Sequence, residues 1–252
     1  MRRPLVIAHQ GSSALRPPNT LVAFDLAVEM GADVIEIDVT YTADGAVVVS
    51  HDLTVDACTD GHGFIPEMTL AEVRSLDAGV RFGREFVGLR IPTLEETIAW
   101  ARGKPVRLCI EVKGDELEHY LRAGEATVAL LQRLDFLQPV TLTAFSPECI
   151  RAMRAREPRL AWGLDPDEHR QHSGWELCQQ VLSCGATFLL HRHDTLKAEI
   201  VEEAHQHGFA VWTWTIDEPE AMRRACVLGA DGIMSNRPDV LRVVVNERGQ
   251  GW

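Results

Sequence analysis

The hydrophobic positions of the chain switch repeatedly between two spacings. Short apolar runs bounded by turn residues predict strands at 4–8, 33–39, 106–113, 140–145, 159–164, 187–191, 209–215 and 231–235. Between them the apolar residues recur at helical spacing, near 116–134, 147–156, 174–183, 195–207, 218–228 and 238–245. An earlier helix runs from a cap at Asn19 or Thr20 to about Met30, with Leu21, Phe24 and Val28 on one face and Gly31 as its stop. Another opens at Pro92-Thr93 and reaches about Ala101. Eight strand–helix units in 252 residues match the size of a (β/α)8 barrel, with a doubly wound sheet as the alternative. Residues 53–92 break the alternation. They are rich in turn residues and hold one short segment, Thr69 to Leu76, that opens on a Thr69/Glu72 capping box. The expected organisation is a single barrel domain over 1–252, with 53–92 an insertion covering one end of the barrel.

One stretch departs from the rule that buried strands are apolar. In Asp33–Asp52, Glu36 and Asp38 interrupt the buried-looking run Val34, Ile35, Ile37, Val39. Buried acids are rare unless they are paired or hold a cation. Asp44-Gly45 is a strong hairpin dipeptide. With those two residues as the turn, Asp38 falls directly opposite His51, on the face that also carries Glu36.

A barrel places its functional side chains at the C-terminal ends of its strands. His9 ends the first predicted strand, Glu36 and Asp38 lie near the end of the second, and Glu111 and Lys113 end the third. Trp212 and Trp214 end the seventh, one of them an apolar wall for a substrate if not core. Three carboxylates suit a hard cation, Mg2+ or Ca2+. Glu111 has a second reading as an ion-pair partner of Lys113, two residues on, and Lys113 is also placed to meet an anionic substrate. His9 and His51 beside those acids make an acid–base pair near neutral pH. A cation, a lysine and two histidines together suit cleavage of a phosphodiester. His191 and His193 share a strand end and read as surface residues, and His205 and His207 sit late in a helix, where cations suit the dipole.

Composition narrows the partners. A net charge of −12 argues against nucleic acid and against stable association with anionic membranes. The first apolar run is five residues long, too short for a signal-peptide core. Six scattered cysteines with no Cys-x-x-Cys pair read as reduced thiols in a cytoplasmic protein. Self-association is left open.

Blocks along nearly the whole chain resemble the glycerophosphodiester phosphodiesterases. They are Ala8–Gly11, Pro17–Leu21, Gly31–Val39, Asp44-Gly45 to His51-Asp52, Ile91–Glu96, Glu111–Lys113, Trp212–Thr215 and Gly232–Pro238. Each block alone is weak, and their order and spacing are specific. The resemblance implies a barrel with a small insertion after the His-Asp pair. It implies a divalent metal on Glu36, Asp38 and Glu111, acid–base roles for His9 and His51, and substrate contacts from Gln10, Lys113 and Trp214. It implies small-molecule glycerophosphodiesters as substrates, with sn-glycerol 3-phosphate and an alcohol as products. Attack by the glycerol 2-hydroxyl would give a cyclic phosphate that water opens.

Four positions, in three of these blocks, depart from the family pattern. Gln10 stands where His-Arg-Gly is usual, Pro18 where Pro-Glu-Asn-Thr is usual, and Ser235-Asn236 where Thr-Asp is frequent. An arginine binds phosphate in a bidentate fork and a glutamine does not. The first two changes read as the joint loss of an ion pair, which touches substrate identity more than reaction type. Two alternatives stand beside the lead: a lysophospholipase D-like enzyme leaving a cyclic phosphate, and a non-catalytic binding barrel.

Overall fold

The structure is a computed structural model that describes residues 3–138, 140–166 and 172–247. Nine strands form one sheet: β1 (Leu5–His9), β2 (Val34–Tyr41), β3 (Val47–Val49), β4 (Arg107–Val112), β5 (Val140–Ala144), β6 (Ala161–Leu164), β7 (Phe188–Arg192), β8 (Ala210–Trp214) and β9 (Gly232–Ser235). All but β3 pair in parallel, in the order β1-β9-β8-β7-β6-β5-β4-β2, and β1 pairs with β2 to close the ring. The fold is therefore a closed eight-stranded (β/α)8 barrel, not an open doubly wound sheet.

Nine α-helices accompany the strands among the described residues: α1 (Leu21–Glu29), α2 (Leu70–Ser75), α3 (Leu94–Ala101), α4 (Leu117–Arg133), α5 (Pro147–Arg156), α6 (Gly174–Cys184), α7 (Ala198–Gln206), α8 (Pro219–Leu228) and α9 (Pro238–Glu247). Capping explains several of the starts. Thr69, Thr93 and Ser173 each accept from the backbone N–H three residues on, and Glu72, Glu96 and Glu176 return the bond. Thr20 occupies the N-cap position of α1 but makes no such bond, because its hydroxyl donates to the Pro17 carbonyl. The strand and helix ends lie within about three residues of their expected places, the usual uncertainty at frayed ends.

Every residue of β2 is buried, acids included. A parallel barrel strand has helices on one side and the barrel interior on the other, so it exposes neither face. Outward-facing residues such as Ile35, Ile37, Leu108 and Ile110 pack against the helix ring with Phe24, Leu94, Ile98 and Leu131. Each such fully buried side chain contributes ~1.5–3 kcal/mol. Inward-facing Ile7, Val34, Cys109, Phe188, Leu190, Trp212 and Met234 fill the barrel. The next inward positions toward the C-terminal ends of β1, β2 and β4 are His9, Glu36 and Glu111. The polar site is thus the layer above an apolar plug.

The hairpin corrects an expectation. Val39 pairs with Val49, Thr40 with Val48 and Tyr41 with Val47. The Thr42 N–H donates to the Ala46 carbonyl at 2.9 Å, so the loop has three residues, 43–45, with Gly45 left-handed at φ 83°. A three-residue loop ending in a left-handed glycine is the standard alternative to the two-residue turn. It moves the register by one, and Ser50, not His51, lies opposite Asp38, its N–H donating to the Asp38 carbonyl at 3.0 Å.

Residues 53–92 contribute no barrel strand. They hold α2, two short 3-10 turns at Ile65–Glu67 and Arg84–Phe86, and a satellite core of Val48, Val55, Ile65, Val73 and Ile91. No helix among the described residues is long and apolar enough to cross a membrane. All six cysteines are free.

Candidate active site

Strand register builds the site. His9 neighbours Glu36 across β1 and β2, and Asp38 neighbours Glu111 across β2 and β4. Carboxylate oxygens of Glu36, Asp38 and Glu111 lie within 4.8 Å of one another. Glu36 and Asp38 are each 1% exposed. Glu36 Oε2 accepts from the Gln10 backbone N–H at 3.0 Å, while Asp38 Oδ2 accepts from Gln10 Nε2 at 2.6 Å and Asn19 Nδ2 at 2.8 Å. The other two oxygens, Glu36 Oε1 and Asp38 Oδ1, are buried and accept no hydrogen bond. An orphaned buried carboxylate oxygen costs free energy unless something absent from the chain completes it. Two such oxygens beside a third carboxylate fit a hard divalent cation.

Lys113 offsets part of this charge, with Nζ 2.7 Å from Glu111 Oε1 and 3.5 Å from Asp38 Oδ1. Both readings of Glu111, ion pair and cluster member, therefore hold together. Burial pushes the Glu36 carboxyl well above its ordinary range, and the neighbouring Asp38 and Glu111 charges push it further. Burial acts on Asp38 as well, but Lys113, then His51 and His9, and the Asn19 hydrogen bond outweigh it and hold Asp38 below its usual value. Burial opposes the charge of Lys113, and Glu111 and Asp38 overcome it and raise its pKa. One acid of the cluster thus carries the strain of three.

The histidines are held from behind. His9 Nδ1 lies 2.7 Å from Asn236 Oδ1, and Asn236 Nδ2 donates to Asp217 Oδ2 at 2.7 Å. The Asn236 amide presents its oxygen, so His9 donates from Nδ1 and leaves Nε2 for proton transfer. The Ser13 hydroxyl lies 2.7 Å from both the His9 carbonyl and Asn236 Oδ1. His51 Nδ1 lies 2.8 Å from Asp52 Oδ1 and is oriented in the same way. Both histidines line one cavity of about 500 Å3 with Gln10, Pro18, Asn19, Asp52, Arg81 and Phe82.

The expected residues thus gather at the C-terminal end of the barrel, with adjustments. His51 reaches the cavity from beyond β3 and not through strand pairing with Asp38. Gln10 donates to a carboxylate of the cluster. Trp214 packs edge-on against Phe145 with centroids 6.2 Å apart, and Lys113 Nζ lies 5.9 Å from the centre of the same Phe145 ring. The indole N–H of Trp214 is buried and has no hydrogen-bond partner. Trp212 is core, against Phe188. His191 is buried, against its reading as a surface residue. It points back onto the Arg192 carbonyl, and burial lowers its pKa. Sequence reasoning offered Asn19 or Thr20 as the helix cap, and Thr20 holds that position; it missed Ser13, Asp217 and Arg81. The left-handed backbone of Asn19, φ 58°, turns its amide onto Asp38 instead.

Comparison with known proteins agrees with this geometry. Residues 9–240 match the sequence model of the glycerophosphoryl diester phosphodiesterase family. A glycerophosphodiester phosphodiesterase of Caldanaerobacter subterraneus subsp. tengcongensis is 36% identical over 98% of this chain and 100% of its own length. A phosphodiesterase of Oleispira antarctica, solved in complex with the product sn-glycerol-3-phosphate, superposes with a TM-score of 0.88 at 27% identity, over 96% of this chain and 97% of that one. A glycerophosphodiester phosphodiesterase of Agrobacterium tumefaciens superposes with a TM-score of 0.82 at 26% identity, over 95% and 99% of the two chains.

Proposed function

Because the chain belongs to the glycerophosphodiester phosphodiesterase family, we propose that it hydrolyses glycerophosphodiesters to sn-glycerol 3-phosphate and an alcohol, with Glu36, Asp38 and Glu111 holding a divalent cation and His9 and His51 moving the protons. The observation that carries this reading is the three-carboxylate cluster, in which Glu36 Oε1 and Asp38 Oδ1 accept no hydrogen bond, beside two oriented histidines. Mg2+ or Ca2+ there would draw charge from the phosphoryl oxygens.

The side chains divide the remaining work. One histidine takes the proton of the glycerol 2-hydroxyl as its oxygen attacks phosphorus. The bond from phosphorus to the alcohol oxygen breaks, and the other histidine protonates that oxygen. Water then opens the cyclic phosphate with the proton roles reversed, and sn-glycerol 3-phosphate leaves. Asn236 and Asp52 hold Nδ1 of each ring, which leaves Nε2 of each to take or give the proton. Lys113 balances the phosphate charge, and the Trp214 ring, packed on Phe145 beside Lys113, is an apolar wall for the substrate. Gln10, neutral and bonded to Asp38, positions that carboxylate and offers substrate a weaker contact than an arginine would. The insertion at 53–92 walls the cavity of this single catalytic domain, and the free cysteines suit the reducing cytoplasm.

The test is a panel of phosphodiesters assayed with Mg2+, Ca2+ or Mn2+, with glycerol 3-phosphate as the readout. Release of glycerol 3-phosphate only when a cation is present is the expected result, and none with any cation would refute the reading. Lysophospholipids belong in the same panel. The cavity wall formed by Val49, Ala57, Ala78, Phe82 and Ile91 is apolar enough for an acyl chain, and a cyclic phosphate product would support that second substrate class.

A further inference from the structure

Among the described residues lining the catalytic cavity, Arg81 is the one that carries a permanent positive charge. It comes from the insertion and not from the barrel. Its Nε donates to the Thr59 carbonyl, and no described carboxylate forms a salt bridge with it. Its charge bears on the Cys58 thiol in the same wall. The acid in that lining, Asp52, is already engaged by His51.

The loop that carries Arg81 is built to hold it. The Asp77 carboxylate accepts from the backbone N–H groups of Gly79 at 2.9 Å, Val80 at 3.0 Å and Gly88 at 2.6 Å, which ties both ends of the loop to one residue. The Asp77 N–H is in turn held by Asp60 at 2.8 Å. Gly79 is required by close approach, since a Cβ there would sit 1.9 Å from the Phe86 carbonyl oxygen. Phe82 closes the loop edge-on against Phe86. Arg81 is exposed, and a guanidinium on a tied loop at a cavity wall, with no carboxylate competing for it, is placed to meet an anionic group of a ligand.

We propose that Arg81 selects glycerophosphodiesters whose alcohol carries an anionic group, by a charge-assisted contact to that group outside the reacting centre. This rests on the phosphodiesterase reading above and names the substrate class for the same site. A cation held by Glu36, Asp38 and Glu111 would serve the phosphate together with Lys113, which leaves Arg81 for the leaving alcohol. A carboxylate on that alcohol supplies the planar, two-oxygen partner that a guanidinium fork fits.

Glycerophosphoserine and glycerophosphoethanolamine differ by one carboxylate and form the probe pair. We would measure kcat/KM on both for wild type, Arg81→Gln and Arg81→Lys. Wild type should favour the serine ester by about tenfold, the worth of one charge-assisted contact. Arg81→Gln should bring the ratio close to one. Arg81→Lys should keep part of it, because it retains the charge without the fork. The same ratio in wild type and Arg81→Gln, or no preference for the serine ester in wild type, would overturn the assignment of Arg81 alone. Cleavage of neither ester by wild type would overturn the phosphodiesterase reading and this inference with it.

Discussion

Glu36 and Glu157 are both buried glutamates, 1% and 3% exposed, and they differ in what surrounds their oxygens. Both Glu157 oxygens are occupied. Arg159 reaches them at 2.8 and 2.7 Å, Gln132 Nε2 donates at 2.9 Å, and the Arg159 backbone N–H adds a bond at 3.2 Å. Those bonds hold its pKa down to about 2. Glu36 keeps one oxygen with no partner, faces two more carboxylates and has its pKa pushed up. Burial of an acid therefore does not by itself mark a site. The mark is a buried oxygen that no described residue partners, set among other carboxylates. Glu157 is a finished structural element, and Glu36 is unfinished until something binds.

The largest effect should come from removing what completes Glu36. Excess chelator should abolish phosphodiester hydrolysis, and Glu36→Gln or Asp38→Asn should weaken cation binding, read by titration calorimetry. Full activity in chelator would break the comparison at its root. Next in size, His9→Ala and His51→Ala should each lower kcat by roughly 10²–10⁴, the usual worth of a positioned acid or base, with cation affinity retained. Turnover near wild type in either variant would make that histidine structural.

A smaller and more pointed test sets stability against activity. With chelator present, Glu36→Gln should raise Tm, because it removes a charge from a repelling cluster. Its amide can also donate to the carboxylates that Glu36 Oε1 repels. Glu157→Gln should lower Tm and leave kcat/KM alone, because it weakens the Arg159 fork far from the cavity. Melting curves and initial rates on the two variants give four numbers. A Glu36→Gln protein that melts earlier in chelator would show that its charge already has a partner.

How much of this contrast was legible beforehand differs from residue to residue. The barrel, the cluster and the paired histidines follow from short-range signals: apolar runs of strand length, acids inside one of them, and polar residues at strand ends. The His51 register was missed by one residue, because Asp44-Gly45 fits a two-residue turn as well as the end of a three-residue loop. The choice was made by the Thr42–Ala46 pairing, which no local pattern displays. Asn19 reads as a helix cap in sequence because capping and αL turns favour the same residue types. Asn236 reaches His9 across a separation of 227 residues, Asp217 holds Asn236 in turn, and Arg81 reaches the cavity from the insertion. Contacts of that kind depend on barrel closure and loop packing, which a single sequence does not spell out.

The smallest expected effect is a pH dependence that only the finished acid should show. The folded-state pKa of Glu157, about 2, lies below the ordinary value of 4.5, because Arg159 and then Gln132 favour its charged form. A depressed carboxyl contributes stability that is fully present above the unfolded pKa and is lost as pH falls through the folded one. The Tm gap between wild type and Glu157→Gln should therefore be constant at neutral pH, begin to close below about 4.5, and be nearly gone near pH 2. Arg159→Gln should close the gap over the same window, because it removes the main cause of the shift. A gap that stays open down to pH 2 in wild type would mean that the carboxylate charge adds nothing beyond neutral hydrogen bonds, and Glu157 would cease to be the paired counterpart of Glu36.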